Sequence, residues 1–262
     1  MRRVLLALVC ALFASACAAA DIGAVVMHGK WGSPDRNISP LADALLREGF
    51  LVSSPEMPWS GRRSYDRTVA DANGELDAEI GRLEARGAKR VFVIGHSLGA
   101  AFALEYAAHA PAPVVAGIVA IAPGHRPENQ RIADMMRADI KSARELVAAG
   151  KGAEIYAFTD FNQGRRSRIA APAAAFLSYF DGDGPMNMQR NVESIKNGLP
   201  VLWIVPTREE SQPREGVMRV YKRFPSNPDT QLAEPSADHF GAPAASVGVV
   251  VDWIRKVAGA PR

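Results

Sequence analysis

Residues 91–101 read Val-Phe-Val-Ile-Gly-His-Ser-Leu-Gly-Ala-Ala, and no other stretch constrains the fold as tightly. A β-branched apolar run ends at Gly95-His96-Ser97-Leu98-Gly99, and an alanine-rich stretch follows directly. That order predicts a buried strand, a tight turn carrying Ser97, and a helix beginning beneath it. The two glycines let backbone segments approach where a Cβ would clash. Ser97 then stands at a helix N-terminus, where backbone N–H groups favour developing negative charge. An ordinary strand-to-helix turn is the competing reading.

Strand-like apolar runs alternate with helix-length amphipathic stretches along the rest of the chain, the pattern of a mostly parallel sheet flanked by helices. Strands are expected at 22–27, 50–53, 90–94, 114–121, 201–205 and near 230–232. Helices are expected at 38–48, 67–86, 98–109 and 244–257, with one more between the last two strands. Residues 124–198 interrupt this rhythm. No strand is expected there, whereas 132–149 and 170–180 read as helices, so the segment is taken as a helical cap insertion over the sheet edge. Its apolar side chains include Met135, Met136, Phe158, Phe161, Phe176, Tyr179, Phe180, Met186 and Met188. Most are expected to bury the insertion, with some left to line an apolar pocket.

Residues 1–20 read as a signal peptide rather than part of the domain at 21–262. Arg2 and Arg3 precede a short apolar stretch, and small residues close the segment. The stretch is too short to span a bilayer. Both cysteines, Cys10 and Cys17, lie inside it, so the body has neither thiol nor disulfide. Ala14-Ser15-Ala16-Cys17 is similar to a bacterial lipobox, leaving two outcomes: a lipid anchor at Cys17, or a soluble product, which is favoured. The protein is therefore expected to be exported, periplasmic or extracellular. Loss of Arg2 and Arg3 lowers the net charge from +3 to +1, which gives no warrant for nucleic-acid binding. Five scattered histidines and a cysteine-free body offer no metal-ligand cluster, and no cofactor is expected.

With these elements in order, the chain resembles the α/β-hydrolase family over roughly residues 22–258. Gly95-His96-Ser97-Leu98-Gly99 is similar to the family's nucleophile elbow, His28-Gly29 to its oxyanion loop, and His239 to its late histidine. The resemblance implies a serine, acid, histidine order, with Ser97 and His239 as nucleophile and base. It puts the acid after the strand at 201–205, where Pro206 and Glu209 stand in place of the usual glycine and aspartate. Glu209 is favoured, with Glu210 or a carboxylate from elsewhere as alternatives. The backbone N–H groups of Leu98 and Lys30 are the expected oxyanion donors.

Among the other histidines, His96 is expected to point away and pack locally, His28 to be structural, His109 to be solvated, and His125, at the opening of the cap, to lie in a surface loop, with substrate contact as the alternative. Asp238, adjacent to His239, is expected to stabilise its own loop. The Lys30 ammonium either attracts a carboxylate-bearing substrate or is a solvated loop lysine, the reading favoured. Trp31 and Trp59 either wall an acyl pocket or pack beneath the loops. The function expected is hydrolysis of a small-molecule carboxylic ester through an acyl-enzyme. The alternatives are an exported non-catalytic binding protein on the same fold, or a peptidase or amidase with the same residues. Dehalogenase and epoxide hydrolase chemistry is disfavoured, because in those relatives an aspartate stands where this chain has Ser97.

Overall fold

A computed structural model describes residues 21–109, 111–195, 198–210 and 212–259. Residues 1–20, expected to be a signal peptide and including Cys17, lie outside the described residues. Six strands, β1 (Ile22–Met27), β2 (Leu51–Ser53), β3 (Arg90–His96), β4 (Val115–Ile121), β7 (Val201–Ile204) and β8 (Gln231–Ala233), form one sheet in the order β2-β1-β3-β4-β7-β8. Every pair in it is parallel. The central strands are covered on both faces, which is why they read as continuous apolar runs rather than alternating ones.

The direction of winding reverses between β1 and β3, and this reversal positions the site. Helix α1 (Ser39–Arg47) leaves β1 onto one face, where Leu41 and Leu45 join Phe50, Phe92 and Trp253 of the terminal helix in one apolar cluster. Helix α3 (Leu98–His109) leaves β3 onto the other face, joined there by α2 (Val69–Ala85). Met27 and Gly95 are register partners, so the loops after the two strands start side by side and then part. A crevice at the carboxyl ends of the strands follows from that topology. Helix α3 is buried from Leu98 through Ala107 because the sheet covers one side and inserted elements the other.

The insertion departs from expectation. Besides α4 (Gln130–Ala148), α5 (Ala173–Phe180) and α6 (Met188–Ser194), it contains an antiparallel ribbon of β5 (Ile155–Asn162) and β6 (Arg165–Pro172), so it is not purely helical. Residues 170–172, expected in a helix, belong to β6. The ribbon turns through Gln163 (φ 51°) and Gly164 (φ 74°), the two successive positive-φ residues that a tight hairpin demands. Phe158, Phe176 and Phe180 stack at 4.1 and 4.6 Å and bury the insertion against Tyr65. Helices α7 (Arg214–Tyr221), α8 (Ala242–Ala245) and α9 (Val247–Ala258) complete the domain near their expected places.

One buried acid makes this core sensitive to pH. Glu105 on α3 is 2% exposed, accepts a hydrogen bond from Asn73 Nδ2 at 3.1 Å, and has the His109 ring at 3.2 Å. Burial pushes its carboxyl up to about 7, with the Asn73 bond and His109 opposing. The folded chain thus holds this proton more tightly than the unfolded one, and the associated stability, full below about 4.5, is lost as pH rises through 7. Urea denaturation should show the protein losing stability on the order of 2 kcal/mol between pH 5 and pH 8. Glu105→Gln should remove most of that slope; an unchanged slope would contradict the assignment.

Candidate active site

The turn at Ser97 is held by backbone geometry. Ser97 has φ 56°, its N–H donates to Ile121 O at 2.9 Å, and its carbonyl accepts from Gly124 N at 3.1 Å. A Cβ at Gly95 would stand 2.1 Å from Gly99 O, and one at Gly99 would stand 2.7 Å from His28 O. Neither position admits a side chain, so both glycines of the motif are required for close approach. Leu98 opens α3, where its N–H has no intrahelical acceptor.

The loop after β1 is fastened from below and from the side. His28 donates from Nδ1 to Gly29 O at 2.8 Å and accepts at Nε2 from Met57 N at 3.1 Å, the structural role expected of it. Trp59 Nε1 donates to His28 O at 2.8 Å. Trp59 has no exposed surface and packs on Phe102 and Tyr179, so it supports the loop from within the core instead of walling a pocket. Trp31 is likewise engaged: its N–H donates to Trp59 O at 2.9 Å and its indole Nε1 to Asp160 Oδ2 at 2.8 Å.

Lys30 is not a solvated lysine. Its side chain is 5% exposed and Nζ meets Asp160 Oδ1 at 2.7 Å, with Asp160 wholly buried. Nζ also donates to Phe161 O at 3.2 Å and lies 5.1 Å from the Phe180 ring centre. A carboxylate buried this deeply requires its partners, and both oxygens of Asp160 are occupied by residues of the β1 loop. The inserted ribbon is thereby clamped onto the turn beside Ser97. His125 belongs to the same interior: Nε2 donates to Tyr179 O at 2.7 Å, and the ring meets Phe180 edge-on at 5.1 Å. Burial and the Lys30 charge push it down to about 3. The surface-loop expectation for His125 is overturned.

Beyond β7 and β8 the chain continues in parallel. Val205 N donates to Ala233 O, Thr207 N to Pro235 O and Arg208 N to Ala237 O, at 2.9–3.0 Å. This extension delivers Glu209 beside His239, whose Nδ1 donates to Glu209 Oε2 at 2.5 Å. Both side chains are at least nine-tenths buried. Glu210 is exposed, and the Asp238 carboxylate accepts from Gly241 N at 2.7 Å within its own loop. His96 does not point away: Nε2 donates to His239 O at 2.8 Å and the two rings lie 4.9 Å apart. Burial first, then the neighbouring His239, pushes His96 down to about 4, so it is a neutral donor that fixes the His239 backbone.

Ser97 and His239 line one cleft, together with Gly29 and Lys30. Its enclosed volume is about 20 Å³, room for little more than one water-sized group. The ribbon tip, Asn162 and Gln163, forms part of its wall. Phe240 contributes the one large apolar side chain of the lining, while Phe158, Phe176, Tyr179 and Phe180 of the insertion stay in the core. Among the described residues no group of three or more His, Cys, Asp or Glu could hold a metal ion.

The family model for the alpha/beta hydrolase family matches residues 24–253. The chain belongs to that family. Solved structures with the same fold include one described with LipS and LipT, two metagenome-derived lipolytic enzymes, at 22% identity and TM-score 0.63, covering 90% of this chain and 94% of that one. A monoacylglycerol lipase from Paleococcus ferrophilus has 22% identity and TM-score 0.62, with coverage of 90% and 94%. An esterase from Pyrococcus furiosus has 22% identity and TM-score 0.57, with coverage of 91% and 81%. No curated protein matches this chain. The fold is a hydrolase fold, and its likeness to esterases and lipases is one of architecture.

The clamp generates a stability prediction. Asp160→Ala leaves the Lys30 ammonium buried without its partner, and should cost about 3–5 kcal/mol in urea denaturation. The double variant Lys30→Met with Asp160→Leu should recover most of that loss. A double variant as unstable as Asp160→Ala alone would show that the pair is not what the ribbon depends on.

Proposed function

We propose that this protein is a serine hydrolase that cleaves carboxylic esters through an acyl-enzyme. The observation carrying the reading is the buried His239–Glu209 pair opening onto the cleft that also contains Ser97. In this reading Ser97 Oγ attacks the ester carbonyl while its proton passes to His239 Nε2, the ring nitrogen left free by the bond from Nδ1 to Glu209. Glu209 fixes the tautomer and stabilises the imidazolium. The oxyanion receives hydrogen bonds from the backbone N–H groups of Leu98 and Lys30. Collapse of the tetrahedral intermediate returns the proton from Nε2 to the leaving alkoxide. Water then repeats the sequence on the acyl-Ser97 ester, releasing the acid.

The enclosed space of about 20 Å³ beside Ser97 has room for little beyond the reacting carbonyl, which favours a short acyl group, with the rest of the substrate lying across the mouth. The segment 124–198 acts as a cap in this reading, supported by Asn162 and Gln163 in the cleft wall. Export rests on the sequence of residues 1–20 alone.

A fluorophosphonate probe should label the protein, and Ser97→Ala should abolish labelling. No labelling of the folded protein would favour a non-catalytic binding role. Steady-state hydrolysis of p-nitrophenyl esters should fall by at least about 10³-fold in His239→Ala. Glu209→Gln should lose more activity than Glu210→Gln; the opposite order would reassign the acid. Acetate esters should be turned over faster than octanoate esters, and a preference for octanoate would reject the short-acyl reading.

A further inference from the structure

The mouth of the cleft has a chemistry of its own. Arg36 and Asn37, on the loop between β1 and α1, line it together with Asn162 and Gln163 of the ribbon tip. No carboxylate lines the cleft; Lys30 does, but Asp160 balances its charge, and His96 is neutral, which leaves Arg36 as the unbalanced cation of the lining. The acids nearby are already engaged. Asp160 is bound by Lys30 and Trp31, and Glu209 by His239. Asp35 accepts from Ser33 Oγ at 2.5 Å. That bond, ahead of the Arg62 and Arg36 charges, holds its carboxyl below the usual range, so Asp35 stays anionic next to Arg36 but outside the cleft lining.

Arg36 is exposed and, among the described residues, has no carboxylate within ion-pair distance. Arg165 is the cross-strand partner of Asn162 at the ribbon tip, Arg166 follows it, and both are exposed without an ion-pair partner among the described residues. Arg36 is therefore the one cation of the cleft lining not paired with a buried carboxylate, and it shares that lining with the side-chain amides of Asn37, Asn162 and Gln163. The mouth is not the apolar groove that a long acyl chain requires.

We infer that the cleft selects esters bearing an anionic group, a carboxylate above all, on the portion that projects from the site, with Arg36 as its receptor. This rests on the serine-hydrolase reading and adds the substrate class. A guanidinium binds a carboxylate through two parallel N–H donors, and the flanking side-chain amides can donate to the same oxygens. The Arg36 charge also attracts an anionic substrate at longer range, an effect that salt screens.

The test compares 4-acetoxybenzoate with 4-acetoxybenzamide, which share the short acyl group and overall shape and differ in charge. The wild-type protein should show a kcat/KM for the carboxylate about tenfold above that for the amide. The ratio should fall as ionic strength is raised, collapse to within about twofold of one in Arg36→Gln, and be partly restored in Arg36→Lys. Equal kcat/KM values in the wild type, or an unchanged ratio in Arg36→Gln, would overturn the inference while leaving Ser97-dependent hydrolysis standing. Cleavage of neither ester, by protein that a fluorophosphonate also fails to label at Ser97, would overturn the hydrolase reading and this inference with it.

Discussion

The site depends on the contact between Gly99 at the start of α3 and the carbonyl of His28 at the end of β1. That approach leaves no room for a single carbon atom, and it locks the strand carrying Ser97 against the strand feeding the His28-Gly29-Lys30 loop. Because β1 and β3 are register neighbours whose following helices leave on opposite faces, two loops with different chemistry share one narrow opening. Proximity is thus fixed by backbone packing before any side chain of the site is considered.

A second layer of order comes from buried charge. Asp160 arrives from the inserted ribbon and satisfies two donors of the β1 loop, while Glu209 arrives from the extended β7–β8 pairing and satisfies His239. His96, kept neutral by burial, contributes a donor to the His239 carbonyl. Each of the three is costly without its partner, and each ties a different segment to the same opening. The polar interior near Ser97 therefore acts as scaffolding as much as chemistry.

Much of the sheet was legible in the sequence because its strands are buried on both faces and carry dense β-branched runs, as at 91–94. The Gly-x-Ser-x-Gly turn was legible for the same steric reason that it exists. Glu209 could be favoured over Glu210 only by analogy, since the partner that distinguishes them is 30 residues away. The β5–β6 ribbon escaped notice because Arg165, Arg166, Ser167 and Arg168 expose four successive polar side chains and hide the period-two signal. The pairing of Gln163 with Gly164 was the one local cue. The burial of Lys30 and His125 had no local signature: each is enclosed by side chains more than 50 residues distant.

The ribbon between β4 and β7 makes its own ladder and adds no strand to the main sheet, so its tip can diverge without disturbing that sheet, while Phe158, Ile169 and Ala171 tie its body to the core. A further condition is electrostatic. Positions 30 and 160 share a buried charge balance, and a lineage that discards the carboxylate must discard the ammonium with it. Diversification around this opening is expected to proceed by paired replacement at those two positions.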